Sequence, residues 1–228
     1  MLQLSVIHED ENILVVDKQS GVVMHPFDFS DEVTLLAVIS QYAPEILSID
    51  NPKKLQDGRT INLGGMVHKL DRETSGIVVF AKNKKTFDEL SEQFKNHKIE
   101  KTYYAKVEGI VQEKIFTIDA PLAREKKSYK QSVSPAEFRG ELREAVTHGE
   151  VVCIKENETV VRLQPKTGRT HQLRAHMSHI GHPIVGDTIY GGKKAERLML
   201  HAQSLSFVLP NQKETFETKL PEEFMCPQ

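Results

Sequence analysis

Short apolar segments separated by polar turns recur along the chain, and they constrain the fold more than any other feature of the sequence. Residues 4–7 and 13–16 flank a polar turn, which predicts an opening hairpin. The run GIVVFA at 76–81 predicts a buried strand, and the alternating stretch 99–109 predicts another. A second hairpin is predicted within 151–163. Strands therefore dominate the predicted structure.

Three helices are predicted between these strands. Apolar residues within 33–42 suit a helix that ends before the Ala-Pro pair that follows. Asn83 is predicted to cap a second helix. A third helix is predicted over about 170–180, with Ile180 turned inward, whereas 46–63 is predicted to be a surface loop. Helices scattered among strands indicate an α+β architecture.

Composition places the chain among globular proteins. Its 228 residues are 39% hydrophobic and 27% charged, and no linker or repeat divides them, so a single domain over 1–228 is predicted. Lys and Arg number 30 and Asp and Glu number 32. The resulting net charge of −2 excludes a polybasic protein that holds nucleic acid by bulk charge. No apolar run approaches the roughly 20 residues needed to cross a bilayer.

The sequence shows neither a secretory signal nor a cysteine pattern that would indicate export. The start of the chain, MLQLSVIHED, lacks the basic and apolar regions of a secretory signal. Two cysteines, Cys153 and Cys226, are too few for a disulfide framework. We therefore expect a cytoplasmic protein with no membrane partner.

The most specific segment is HKLDRETSG at 68–76. Its carboxylate, Asp71, is flanked by cations and followed by Thr74 and Ser75, just before an apolar strand. Loops that leave a rigid sheet present reactive groups to a substrate without disturbing the core. The alternative interpretation is that Asp71 only caps the turn, with Thr74 and Ser75 as hydrogen-bond partners.

A second candidate segment is KTGRTHQLRAH at 166–176. Backbone N–H groups at the predicted helix start, 168–170, are suited to a phosphate. Arg174 lies beside the predicted buried face, and a partly buried guanidinium would need a carboxylate partner. The alternative is an amphipathic helix with a solvated cationic side.

Cations also cluster between 123 and 131, and Tyr129 lies among them. They are Arg124, Lys126, Lys127 and Lys130. Interleaved basic and aromatic side chains can hold a phosphate backbone and stack on a base. A solvated surface is the alternative interpretation.

Other chemistries lack their residue patterns. His171 and His179 share a helix side, but a rise of about 1.5 Å per residue separates them by roughly 12 Å, too far for one metal ion. No dinucleotide or Walker-type glycine pattern supports a nucleotide cofactor. No Gly-x-Ser-x-Gly elbow supports a serine hydrolase, and no second carboxylate at a defined spacing from Asp71 supports a glycosidase. We therefore expect neither a metal nor a cofactor.

Several motifs, in order along the chain, resemble those of the RluA family of pseudouridine synthases. HKLDRETSG resembles the family's signature loop, His-Arg-Leu-Asp-x-x-Thr-Ser-Gly. VVDKQSGVVMHP at 15–26 resembles the first motif, and KTYYAKVEG at 101–109 resembles the Lys-x-Tyr-x-Ala strand. Residues 166–191 and 197–207 are similar to the third and closing motifs.

This resemblance implies the pseudouridine synthase catalytic fold, in which helices and loops flank a central mixed, mostly antiparallel sheet. It implies that Asp71 is the catalytic aspartate and that Tyr103 stacks on the target base. It also implies that Arg174 pairs with Asp71 and keeps the carboxylate ionised. Leu200 is expected to pack against the site.

The resemblance assigns further residues around the signature loop. His68 and Thr74 are expected to shape it. Lys69 stands where arginine is usual, so the planar stacking and forked hydrogen bonds of a guanidinium are lost. Gln19 replaces the usual proline of a turn. The motifs begin within the first twenty residues, so we expect no S4 RNA-binding module and a catalytic domain that holds RNA by itself.

The implied reaction converts a uridine of folded RNA to pseudouridine without cofactor, metal or ATP. Asp71 would attack C1′ of the ribose or C6 of the uracil, or remove the ribose 2′ proton, and the sequence does not choose among these roles. The target nucleotide must be flipped out, at a cost of a few kcal/mol. Phosphate contacts from Lys126, Lys127, Lys130 and Arg169 are the expected compensation.

A non-catalytic RNA-binding module on the same scaffold is the main alternative. Only the enzyme needs Asp71, Tyr103 and Arg174 together, and all three are present. A carbohydrate-active hydrolase would need a second acidic residue near Asp71. The expected partner is a stem-loop of ribosomal or transfer RNA, bound by a monomer, and the sequence does not name the uridine.

Overall fold

The computed structural model describes residues 3–26, 32–55, 57–126, 128, 130–133, 138–210 and 212–226. Contacts along the backbone divide the chain into two compact units. Unit 1 contains Met1–Ile99 and Ser204–Thr218, and unit 2 contains Glu100–Gln203 and Lys219–Gln228. The prediction of a single domain over 1–228 stays a prediction.

The described residues form three α-helices, which are α1 Leu35–Tyr42, α2 Lys84–Lys95 and α3 Gln172–His179. The strands are β1 Ser5–Glu9, β2 Ile13–Lys18, β3 Pro52–Lys54, β4 Thr60–Asn62, β5 Ser75–Ala81, β6 Glu100–Glu108, β7 Ile115–Asp119, β8 Leu122–Glu125, β9 Gln131–Val133, β10 Phe138–Arg143, β11 Val146–Lys155, β12 Glu158–Pro165, β13 Leu200–Val208 and β14 Lys213–Glu217. Short 3-10 helices occupy Pro44–Ser48 and Glu222–Phe224. Within this part of the chain, no helix is long and apolar enough to cross a membrane.

Unit 1 is built around β2, which pairs antiparallel with β1 on one side and β5 on the other. Every residue of β5 is buried, as its continuous apolar sequence requires. Helix α2 packs against β5 through Leu90, which is fully buried. Asn83 starts this helix, because its side chain accepts a hydrogen bond from the Thr86 N–H. The strand that follows the signature loop is thereby fixed in a rigid core.

Unit 2 contains four antiparallel strands in the order β6-β12-β11-β7. One face of β6 buries Ala105 and Val107, and the facing strand β12 buries Leu163. Helix α3 contributes Leu173 and Met177 to the same apolar cluster. Burial of such side chains stabilises the fold by about 1.5–3 kcal/mol each. The helix that carries Arg174 is therefore anchored to the sheet that carries Tyr103.

Two smaller features complete unit 2. Strands β10, β8 and β9 form a three-stranded antiparallel sheet, and every residue of β10 is exposed. A disulfide joins Cys153 of β11 to Cys226 near the end of the chain. Two cysteines are too few for a disulfide framework, and no pattern in the sequence predicted this single bond.

The α+β prediction is confirmed, because helices lie among strands that are mostly antiparallel. Both hairpins and the first two helices are where the sequence places them. Three details of the prediction are wrong. The stretch 46–63 includes part of a 3-10 helix and the hairpin β3–β4, since its short strands are too polar to show a pattern. Helix α3 begins only at Gln172, and Ile180 is 37% exposed because the helix ends before it.

Candidate active site

The signature loop leads directly into β5 and places Asp71 in a tight turn of unit 1. The Thr74 N–H donates to the Asp71 carbonyl oxygen at 3.2 Å and closes this turn. Thr74 is buried, Asp71 is half-buried, and Lys69 is exposed. The backbone of the turn is therefore held by the buried start of β5, while the Asp71 residue keeps access to solvent.

His68 fixes the beginning of the loop. Its Nε2 atom accepts a hydrogen bond from the Val79 N–H of β5 at 3.0 Å. Its ring stacks on Phe94 of α2, with centroids 4.7 Å apart and planes inclined by 15°. Two elements of the core therefore hold the His68 side chain, and its role in shaping the loop stays a prediction.

Lys18, at the end of β2, is buried and holds the turn from the other side. Its ammonium group donates to the carbonyl oxygens of Gln19, Val22 and Arg72, each at 2.9 Å. Burial lowers the pKa of Lys18 to about 8, and the negative charges of Glu73, Asp71 and Asp17 oppose this shift. The amine is therefore still mostly protonated at neutral pH, and the Asp71 charge acts on it.

Three further hydrogen bonds reinforce this connection between the residues after β2 and the Asp71 turn. The Gly21 N–H donates to the Arg72 carbonyl oxygen at 2.9 Å. The Arg72 Nε donates to the Gly21 carbonyl oxygen at 3.2 Å, and the Ser20 hydroxyl donates to the Glu73 carbonyl oxygen at 2.6 Å. Sequence reasoning missed Lys18, because a lysine at a strand end normally indicates an exposed side chain.

In unit 2, Tyr103 lies on the sheet face that the alternation of β6 predicted. It stands opposite Leu163 of β12, is half-buried, and packs against the apolar cluster of this unit. Leu200, at the start of β13, is 3% exposed and belongs to the same cluster. Tyr103 and Leu200 are therefore held by one core, and Tyr103 has part of its surface outside that core.

Arg174 of α3 forms a buried, bidentate ion pair with Asp187. Its Nε donates to Oδ2 at 2.6 Å and its Nη2 donates to Oδ1 at 2.8 Å. Both side chains are almost completely buried. Asp187 supplies a carboxylate that a buried Arg174 was predicted to need. The predicted pairing of Arg174 with Asp71 stays a prediction.

A glycine turn places Asp187. Gly186 has a φ of +85°, and a Cβ there would lie 2.0 Å from the Arg197 carbonyl oxygen, so only glycine fits. The carbonyl oxygen of Asp187 accepts from the Gly192 N–H at 2.8 Å. Asp187 could have been considered as a partner of Arg174, since it is the first acidic residue after the helix. No pattern in the sequence, however, distinguished it from an exposed turn residue.

Tyr190 brings two predicted functional cations together. The Arg174 guanidinium carbon lies 5.1 Å from the centre of the Tyr190 ring, and the Lys130 Nζ lies 5.2 Å from it. The Tyr190 hydroxyl accepts from the Gln131 N–H at 2.9 Å. Lys130, at the edge of the three-stranded sheet, is therefore tied to the helix that carries Arg174.

The remaining predicted cations are Lys126, Lys127 and Arg169. Lys126 is exposed, and Lys127 and Tyr129 lie outside the described residues. The Arg169 Nε donates to the Glu144 carbonyl oxygen at 3.0 Å. The Arg169 N–H, which was expected to be open to a phosphate, donates instead to Gln172 Oε1 at 3.1 Å. That part of the predicted anion site is occupied by the protein's own side chain.

The histidines of α3 do not form a metal cluster. His176 is buried and lies 2.9 Å from both the Thr147 hydroxyl and the Ala120 carbonyl oxygen. Burial lowers the pKa of His176, with the Ala120 hydrogen bond opposing the shift, so the ring is neutral at pH 7. Among the side chains that the structure describes, no group of three or more His, Cys, Asp or Glu is placed to hold a metal ion.

The family model and the related proteins that match this chain all belong to one family. The family model described as RNA pseudouridylate synthase matches residues 12–179. The chain is 36% identical to the dual-specificity RNA pseudouridine synthase RluA of Vibrio cholerae, over 91% of this chain and 78% of that protein. It is 33% identical to the ribosomal large subunit pseudouridine synthase D of Pseudomonas aeruginosa, over 98% of this chain and 70% of that protein.

A solved structure shares the fold. Human RNA pseudouridylate synthase domain containing 1 is 28% identical and superposes with a TM-score of 0.75. The superposition covers 98% of this chain and 85% of the human chain. The similarity therefore extends over both units of the chain.

Proposed function

The chain belongs to the RluA family of RNA pseudouridine synthases, and from this premise we propose that it isomerises specific uridines of ribosomal RNA, transfer RNA or both through an aspartate-dependent reaction at Asp71. The Asp71 turn is the observation that carries the proposal. Its backbone is held by Thr74 and Lys18, and a carboxylate on a firmly held, solvent-accessible turn suits covalent or base catalysis.

The reaction requires one bond to be exchanged for another within the same nucleotide. The N1–C1′ glycosidic bond breaks, the uracil rotates, and a C5–C1′ bond forms. The proton on C5 is then lost, and N1 gains one, so that atoms balance without any added reactant. Asp71 acts as the nucleophile toward C1′ or C6, or as the base that removes the 2′ proton, and each role needs an ionised carboxylate.

Tyr103 is proposed to stack on the uracil while it is detached. A half-buried tyrosine supported by an apolar cluster offers a rigid aromatic surface to a base. Arg174 is proposed to pair with Asp71 while Asp187 holds its guanidinium in place. An arginine fork has enough donors to serve two carboxylates.

Cations of unit 2 are proposed to bind the RNA backbone. Lys126 is exposed, and Lys130 and Arg169 are half-buried. The exposed strand β10 adds Arg139 and Arg143, which sequence reasoning did not select. Because the whole protein has a net charge of −2, RNA is expected to bind only at this cationic surface. The affinity for RNA is then expected to fall as the salt concentration rises. One relative is named for the large ribosomal subunit, which supports ribosomal RNA as a substrate, and another is named for dual specificity, which supports more than one substrate.

The test is release of tritium from carbon 5 of labelled uracil in ribosomal and transfer RNA transcripts, with a chelator present. The wild-type chain is expected to release tritium from at least one transcript. Asp71→Asn is expected to reduce the rate by more than about a thousandfold, because the amide can neither attack nor accept a proton. Glu73→Gln, which removes a neighbouring exposed carboxylate, is the matched control and is expected to keep activity.

The possible outcomes distinguish an enzyme from an RNA-binding module and test the role of Asp71. RNA binding without release by the wild-type chain would favour a non-catalytic RNA-binding module on the same scaffold. Equal release by wild type and Asp71→Asn would show that Asp71 is not the catalytic residue. The transcript that loses tritium identifies the RNA class.

A further inference from the structure

The cationic cluster of unit 1 consists of His25 and Lys53, which are in contact, and of Lys69, whose positive charge acts on both. Lys53 is on β3, and its Nζ lies 2.9 Å from the Nε2 of His25. The Nδ1 of His25 lies 2.6 Å from the Pro26 carbonyl oxygen. Because a carbonyl oxygen only accepts, Nδ1 carries the proton and Nε2 offers its lone pair to the Lys53 ammonium. A neutral, buried histidine therefore holds a lysine charge in a fixed position.

The positive charges of this cluster repel one another. Burial lowers the pKa of Lys53, and the charge of Lys69 lowers it further. Burial also lowers the pKa of His25, against the Pro26 hydrogen bond, and the charges of Lys53 and Lys69 add to this shift. In the described parts of the chain, neither lysine forms an ion pair with a carboxylate. Two ammonium groups that repel each other are stabilised when an anion binds to both.

The position of the cluster indicates which anion binds to it. Lys69 precedes Asp71 by two residues, and two residues of extended chain span at most about 7 Å. With the reach of the lysine side chain added, an anion bound by Lys69 still lies within a few nucleotides of the group on which Asp71 acts. RNA carries a phosphate at every nucleotide, so the phosphate backbone is the anion that the substrate itself brings to this place.

We propose that His25, Lys53 and Lys69 form a binding site for a phosphodiester group of the RNA strand that carries the target uridine. The inference rests on the proposed function, since it assumes that Asp71 acts on RNA. The proposed site also explains how a lysine can function at position 69, where arginine is usual in the family. An ammonium group is a compact point charge that binds phosphate well, whereas it cannot stack or form a fork as arginine does.

Strand β3 provides a matched control. Lys53 is half-buried and contacts His25, whereas Lys54 is exposed. Successive side chains of a strand point to opposite faces, so Lys54 points away from the cluster. Lys53→Met and Lys54→Met remove the same charge from adjacent positions, and only the first removes it from the proposed site.

The experiment measures the affinity of these variants for unmodified large-subunit ribosomal RNA and transfer RNA transcripts, between about 50 and about 200 mM salt. For the transcript that wild type modifies, Lys53→Met is expected to lower affinity about five- to tenfold. It is also expected to reduce the slope of log affinity against log salt by about 0.7 to 1, the loss of one phosphate contact. Lys54→Met is expected to keep the wild-type slope, and Lys53→Arg, which retains the charge, is expected to restore it.

Lys69→Met tests the same site through an exposed side chain whose replacement does not endanger folding. It is expected to reduce the slope as Lys53→Met does, and it decides the question if Lys53→Met does not fold. Equal slopes for wild type, Lys53→Met and Lys69→Met would overturn the inference while leaving the proposed function intact. Equal losses in Lys53→Met and Lys54→Met would overturn it as well, since bulk charge would then explain the effect. A wild-type chain that neither binds nor modifies RNA would overturn both proposals.

Discussion

A buried arginine is stable only when a carboxylate satisfies its guanidinium group, and Asp187 does this for Arg174. Both side chains are removed from water, so the cost of dehydrating two charges must be met by their mutual hydrogen bonds. The contact of Arg174 with the Tyr190 ring adds a favourable interaction on the guanidinium face. At the scale of single residues, the ion pair with Asp187 fixes the position of the Arg174 side chain, which is predicted to be catalytic.

Asp187→Asn is expected to destabilise the protein and slow the reaction. The amide keeps the shape but not the charge, so the buried guanidinium loses its ionic partner, and the free energy of unfolding is expected to fall by about 3 kcal/mol. Denaturant unfolding measures this change, and tritium release measures the rate. Glu150→Gln, which breaks the exposed pair with Arg162, is the control and should cost under about 1 kcal/mol. Similar small losses in both variants would contradict this role for Asp187.

At the scale of elements, the active-site turn depends on the end of strand β2. Three carbonyl oxygens, those of Gln19, Val22 and Arg72, point toward one lysine ammonium group. Loops of this kind have few apolar contacts of their own, so hydrogen bonds to a neighbouring element determine their conformation. Lys18 is therefore a positioning residue for the turn that carries Asp71.

Lys18→Met is expected to affect turnover more than RNA binding. The methionine fills most of the space, but three carbonyl oxygens lose their donor, and the free energy of unfolding is expected to fall by about 1–2 kcal/mol. Tritium release at saturating RNA is expected to fall, while the affinity for RNA stays within about twofold of wild type. Lys85→Met on the exposed side of α2 is the control. A stable Lys18→Met variant with full turnover would show that the ammonium does not position the loop.

At the scale of the molecule, the disulfide of unit 2 ties the end of the chain to β11. Cys153 and Cys226 are 73 residues apart in sequence, so the bond closes a long loop and restricts the unfolded chain. Reducing compartments keep cysteines as thiols, whereas oxidising ones allow such a bond to persist. The stability of the protein therefore depends on its redox environment.

Reduction is expected to lower the free energy of unfolding by up to about 4 kcal/mol. Denaturant unfolding with and without a reducing agent measures the difference. Cys226→Ser is expected to be as unstable as the reduced protein and to be insensitive to the reducing agent. Titration of two free thiols in protein purified without reducing agent would contradict the bond.

The sequence by itself determined the local structure and the family. The alternation of β6 predicted which face carries Tyr103, and the Asn83 cap predicted the start of α2. These features depend on residues close in sequence, whose side-chain periodicity follows directly from strand and helix geometry. Asp71 stood out for the same reason, because the whole signature loop is one continuous segment.

Only the tertiary structure identified the partners of these residues. Lys18 and Arg72 are distant in sequence, and so are His25 and Lys53, and no local pattern connects either pair. Asp187 differs from an exposed turn acid only because the chain buries it against Arg174. Burial and proximity are properties of the packed chain, and they decide whether a charged side chain is solvated, paired or available to a substrate.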